Sequence, residues 1–226
     1  HRRGGGAGGV SAGPVPAMSQ IHIHNLFPVP VMREEKFLGE DVIDATVAAT
    51  GTGSQLTNAH TDLLSHTEVI RPQQSPQFAH IGELAQDYLR DFGFLLFGEN
   101  LVWHIKEMWM NRLANGGHQV MHSHANSFIS GVVYLTDAHE SSKTVFHNSM
   151  GLRQFVFSNN HAESATTPYN GDRWAATDME RGDLLLFPSY MLHAVPRNEG
   201  SERVTIAFNA LPERLKSWDY EVRFSD

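Results

Sequence analysis

Two histidines stand two residues apart, His122 and His124, in the segment NGGHQVMHSHANSFISGVVYL. On extended backbone, side chains two apart leave the same face about 6–7 Å from one another, so both imidazoles can reach one metal ion. An isolated pair of this kind is usually two half-buried polar residues of a strand. Its context argues otherwise. The pair follows Gly116 and Gly117, precedes an apolar run, and is matched far downstream by His193 in GDLLLFPSYMLHAVP, where a buried stretch meets a proline turn. A strand-borne pair completed by one distant donor is how jelly-roll proteins assemble metal sites from their two sheets. The chain has no cysteine, so thiolate ligands, disulfides and cysteine nucleophiles are excluded together, and soft-ligand work falls to histidine.

Arg203 follows ten positions after His193, in ERVTIAFNA, where Arg203, Thr205, Ala207 and Asn209 share one strand face. Most arginines keep their head in solvent. A guanidinium buried beside a metal instead requires an anionic partner, and a dicarboxylate cosubstrate supplies one through a bidentate contact. Asn126, Ser130 and Asn209 are positioned to touch ligand or substrate, although short polar residues at strand ends more often satisfy backbone groups. Trp103, Trp109, Phe128, Phe187 and Phe208 read as core. Most of the other histidines, among them His104, His118, His139, His147 and His161, read as surface.

These residues need a β framework. Residues 1–17 are rich in Gly, Ala and Pro without apolar period and read as a flexible leader, with Met18 opening a single domain to residue 226. From Ile21 the text alternates and then breaks at Pro28 and Pro30, as an edge strand or extended lead-in does. Apolar spacing of three to four predicts helices over Gly39–Thr50 and His80–Phe92, ending near Gly51 and Gly93. After Asn100 the period drops to two, in short runs at Leu101–Met110, Ser127–Leu135, Leu184–Phe187 and Val204–Phe208. Helices followed by about eight short strands predict a mainly β protein with flanking helices, a double-stranded β-helix of the jelly-roll, cupin-like kind. The polar segment Asn159–Trp174 reads as a lid, a binding loop or plain disorder.

Composition narrows the partners. A formal charge of -8 with only 17 lysines and arginines offers no field for nucleic-acid phosphates. No apolar run is long enough to span a bilayer, and no segment resembles a signal peptide, so a cytoplasmic protein acting on a small molecule or peptide is expected. A homo-oligomer is compatible with the sequence.

LFPVPV, EMWMN, HSHANSFISGVVYL, GDLLLFPSYMLH and RVTIAFN resemble the motifs of a bacterial and phage family of 2-oxoglutarate- and Fe(II)-dependent oxygenases, over roughly Ile21–Ala210. The resemblance implies a double-stranded β-helix that uses Fe(II), 2-oxoglutarate and dioxygen. It implies hydroxylation of a peptide, amino acid or small metabolite, with release of succinate and carbon dioxide. It makes His122 the first metal ligand and His193 the distal one. Arg203 with Thr205 becomes the clamp for the far carboxylate of 2-oxoglutarate, and Tyr134 resembles a tyrosine set against that same carboxylate. The superfamily pattern is HxD or HxE, and here the carboxylate position holds His124. A three-histidine site follows, more positive by about one charge. The alternatives are that His124 stands outside the coordination sphere and that water or Asp137 completes it. The two histidine segments also look like cupin motifs, whose three-histidine members include dioxygenases and binding modules that do not use 2-oxoglutarate. Phe128 and Ile129 stand where the first cupin motif carries a glutamate.

Overall fold

The computed structural model describes residues 22–50, 56–148, 159 and 161–224. The leader expected at residues 1–17 and the helix stop expected at Gly51 lie outside them. The chain runs through β1 (Met32–Glu34), α1 (Glu40–Thr50), β2 (Leu56–Thr57), β3 (Leu64–His66), α2 (Pro76–Leu84) and α3 (Gln86–Phe97). Strands then dominate: β4 (Trp103–Leu113), β5 (Gln119–His122), β6 (Ile129–Tyr134), β7 (Val145–His147), β8 (Arg173–Ala175), β9 (Leu184–Pro188), β10 (His193–Val195), β11 (Arg203–Pro212), β12 (Arg214–Ser217) and β13 (Tyr220–Arg223). The larger sheet has the order β1-β9-β6-β11-β4-β3-β2, the smaller one β5-β10-β7-β8, and β12 pairs with β13 alone. All pairings are antiparallel, giving a jelly roll braced by helices.

The central strand β11 shows how the sequence writes two faces at once. Val204, Ile206, Phe208 and Ala210 join Met108 and Met110 of β4 and Phe78, Ile81, Leu89 and Phe92 of the helices in the main core. The alternate positions Arg203, Thr205 and Asn209 are polar and equally buried, and they face the interior between the sheets. A second, smaller cluster packs Tyr134, Leu185 and Phe187 of the larger sheet on Phe146 of the smaller one and so closes the two layers.

Several expectations shift. The extended lead-in holds, and its strand is an edge strand, but pairing begins only at Met32, beyond the prolines that cannot donate to a ladder. The second helix is two, broken at Ala85, and the chain passes through Gly93 to stop at Gly98, which caps it at φ 70°. Gly93 is interior because the indole of Trp103 occupies the space of its absent side chain; a Cβ there would lie 2.4 Å from Trp103 Nε1. Strands β5, β7 and β8 are too short to show a period, and among the described residues ten strands follow Asn100 rather than about eight. Trp103, Phe187 and Phe208 are core and Phe128 packs on its edge, but Trp109 is half-buried and faces the interior cavity.

Candidate metal centre

His122 ends β5 and His193 begins β10, and the two are direct partners across the ladder of the smaller sheet. His124 lies two residues past His122, beyond the strand end, where its backbone N–H donates to Ser189 O at 3.0 Å. The expected pairing of ligands from both sheets is thus corrected: two come from neighbouring strands of one sheet, and the third from the loop that leaves it. Ring centroids lie 4.2 Å apart for His122 and His193, and 5.1 Å for each ring to His124. One nitrogen from each ring falls within 4.8 Å of the others, and His124 Nε2 stands 3.3 Å from His193 Nε2. Three nitrogens bound at about 2.1 Å to one ion sit about 3 Å apart at right angles, so only small movements separate this arrangement from coordination.

Hydrogen bonding orients two of the rings. His122 Nδ1 lies 2.9 Å from Val120 O and His193 Nδ1 lies 3.0 Å from Met191 O. A carbonyl can only accept, which assigns the proton to Nδ1 and leaves an Nε2 lone pair turned inward. His124 differs: its Nδ1 faces the Asn209 amide Nδ2 at 3.5 Å. Burial, reinforced by His122, holds His124 down to about 4, and burial holds His193 down to about 3, with His122 and His124 adding and the Met191 carbonyl opposing. Both rings are therefore neutral at pH 7, the form that binds metal.

The three histidines line a cavity of about 280 Å³ that Arg203 lines as well. Arg203 is 5% exposed, its Nη2 donates to Thr144 Oγ1 at 3.2 Å, and its head lies 5.0 Å from the centre of the Tyr134 ring. The Tyr134 hydroxyl is 2.8 Å from the same Thr144 Oγ1. No carboxylate among the described residues pairs with this guanidinium, and its Nε has no hydrogen-bond partner. Thr205 shares the cavity wall two residues along β11.

Asp137 Oδ1 accepts from the backbone N–H of Arg181, and the described residues that converge as possible ligands are the three histidines without it. Ser130 and Asn209 are bonded to each other at 2.7 Å, and Asn126 lines a separate neighbouring cavity of about 520 Å³ together with Glu107 and Asn209. His104 borders that neighbour, and His118 and His147 line an outer cleft. Thr144, His66, Asn111 and Gln119 line the metal cavity without having been singled out from the sequence. Asn111 was findable: it pairs in register with Thr205, on the same face as Trp109. Thr144 lies in a stretch without period, and nothing in the text marks it.

Residues 107–209 match the family described as "Putative 2OG-Fe(II) oxygenase". That segment carries all three histidines and Arg203. Over this segment, a little under half of the chain, the sequence is similar to the 2OG-Fe(II) oxygenases. Solved structures agree in fold. HygX from Streptomyces hygroscopicus, with nickel and 2-oxoglutarate bound, is similar at TM-score 0.59 and 15% identity over 81% of this chain and 83% of that one. A Pseudomonas putida prolyl-4-hydroxylase is similar at 0.56 and 16%, over 80% and 92%. The α-ketoglutarate-dependent epimerase SnoN from nogalamycin biosynthesis is similar at 0.60 and 12%, over 82% and 80%. No curated protein is significantly similar to the chain.

The family's description names Fe(II) and 2-oxoglutarate, and the residues of this chain fit both: three convergent imidazoles for an iron, and a buried guanidinium with an unpaired N–H for a carboxylate. No helix among the described residues is long and apolar enough to cross a membrane.

Proposed function

We propose that His122, His124 and His193 hold the iron, that Arg203 with Thr205, Tyr134 and Thr144 holds the far carboxylate of 2-oxoglutarate, and that residues 18–226 work as one domain. The observation that carries this reading is Arg203. A guanidinium this deeply buried without a carboxylate partner is costly unless an anion arrives, and it opens on the same cavity as the three imidazoles. When bound, iron with 2-oxoglutarate and dioxygen supplies oxidation of an unactivated C–H bond, with succinate and carbon dioxide as by-products. The protein's own contribution is placement. The carbonyls of Val120 and Met191 fix two ring orientations, Arg203 and Thr205 set the depth of the cosubstrate, and Trp109, whose ring centre lies 5.9 Å from that of His124, excludes water from one side.

We infer a 2-oxoglutarate- and Fe(II)-dependent oxygenase that hydroxylates a peptide, amino acid or small metabolite rather than a polyanion, in keeping with the net charge of -8. A three-histidine cupin that does not use 2-oxoglutarate leaves Arg203 without a purpose. The test is succinate release across 2-oxoglutarate concentrations. Arg203→Leu removes a charge-assisted contact worth about 1.5–3 kcal/mol, so the 2-oxoglutarate requirement is expected to rise by about 10- to 100-fold with iron affinity little changed. Indistinguishable curves for parent and variant would remove Arg203 from the cosubstrate site.

A further inference from the structure

The metal cavity opens at one edge of the sandwich. We propose that the substrate enters there, between the β2–β3 hairpin and β5, and that the part reaching the metal is an uncharged residue within a peptide, not a free amino acid. The proposal rests on the metal-centre reading above and narrows the substrate class given there.

β2 is an edge strand of the larger sheet and β5 an edge strand of the smaller one. Asn58 and His66 from the hairpin, Val69 just after it and Gln119 from β5 line the metal cavity together with Trp109. Val69 is 54% exposed, so the cavity meets solvent on this side. On the ladder His66 stands beside Asn111, and Asn111 beside Thr205. Neighbouring strands lie about 4.8 Å apart, which sets His66 about 10 Å from the strand that carries Arg203 and Thr205. The mouth is thus separate from the place assigned to the far carboxylate of the cosubstrate.

Two features of this mouth point to the ligand. The first is charge. Among the described residues that line the cavity there is no Asp, Glu or Lys, and its one guanidinium, Arg203, is assigned above to the cosubstrate. The ammonium of a free amino acid finds no carboxylate here and its carboxylate no second guanidinium, and a charge taken out of water without a partner is strongly disfavoured. The second is hydrogen bonding. His66 Nδ1 lies 2.9 Å from the Thr67 carbonyl, so its hydrogen sits on Nδ1 and Nε2 is left to accept. The Gln119 side-chain amide has no hydrogen-bond partner among the described residues and offers both a donor and an acceptor. An acceptor at one edge and an amide at the other suit the N–H and C=O groups that flank a residue in a peptide. Trp109 and Val69 give its side chain apolar walls.

The test loads the protein with Zn(II) and 2-oxoglutarate and measures the binding of single residues by ligand-observed NMR. Valine, leucine, isoleucine, methionine and proline are each compared as the free amino acid and as the N-acetyl, N-methylamide form. At least one blocked form is expected to bind about tenfold or more tightly than its free counterpart, and to raise succinate release by the Fe(II)-loaded protein. His66→Phe with Gln119→Leu removes both hydrogen-bonding groups at similar size, and its Kd for that form is expected to rise about tenfold. Should the pair not fold, Gln119→Leu alone is expected to raise it about threefold. A free amino acid that binds as tightly as its blocked form, a panel in which no blocked form binds, or a Kd unchanged by the substitutions overturns the proposal. Fe(II)-loaded protein that gives no charge-transfer band with 2-oxoglutarate contradicts the underlying reading as well, whereas the band together with any of those results contradicts this inference alone.

Discussion

His124 is the residue on which the chemistry of this site turns. In the metal-free protein its Nδ1 faces an amide N–H donor and its Nε2 faces the His193 Nε2 lone pair, so the hydrogen of His124 belongs on Nε2. His122 and His193 carry theirs on Nδ1, against carbonyls. Nitrogen chemical shifts of the labelled rings are expected to give one Nε2–H and two Nδ1–H tautomers without metal. Three identical tautomers in the metal-free protein would contradict the hydrogen-bond assignment. His124 also carries the clearest difference between text and structure. Its two-residue spacing from His122 was readable, and so was the convergence with His193. The strand end between His122 and His124 was not, because a four-residue strand has too few positions to show where its period stops.

At the scale of elements, the strands that carry the site were legible where they are long and silent where they are short. β11 announces itself by alternating Arg203, Thr205, Ala207 and Asn209 with large apolar residues, and its partner β4 does the same. β7 and β10 have three residues each and are held by their neighbours, which no local pattern records. The end of α3 lies beyond the expected stop at Gly93 for a related reason. Gly93 resembles a helix end in sequence, yet its lack of a side chain serves the packing of Trp103. That assignment has an opposite sign from ordinary helix propensity. An exposed helical Gly→Ala gains up to about 1 kcal/mol, whereas overpacking costs about 1–3 kcal/mol. Gly93→Ala is therefore expected to lower stability in urea unfolding, and a gain would contradict the close contact with Trp103.

At the scale of the whole molecule, the buried histidines tie stability to pH and to metal. The unfolded chain protonates its imidazoles near 6.5, but folded His124 and His193 resist until about 4 and about 3. Between those limits the unfolded state binds more protons, so the metal-free protein is expected to lose stability as pH falls below about 6.5, and His193→Asn is expected to flatten that slope. Equal urea midpoints at pH 7.5 and 5 in the parent would contradict it. Metal held by the proposed histidines would crosslink β5 to β10 and is expected to stabilise the fold further, by about 2.7 kcal/mol at a free concentration 100 times its dissociation constant. The most direct test of the account is anaerobic titration of Fe(II)-loaded protein with 2-oxoglutarate, read by the visible charge-transfer band that chelation of the iron produces. The band is expected to saturate at one equivalent in the parent, to be abolished in His122→Ala, and to require about tenfold more 2-oxoglutarate or beyond in Arg203→Leu. Iron bound at the three histidines with no band at any 2-oxoglutarate concentration would contradict it.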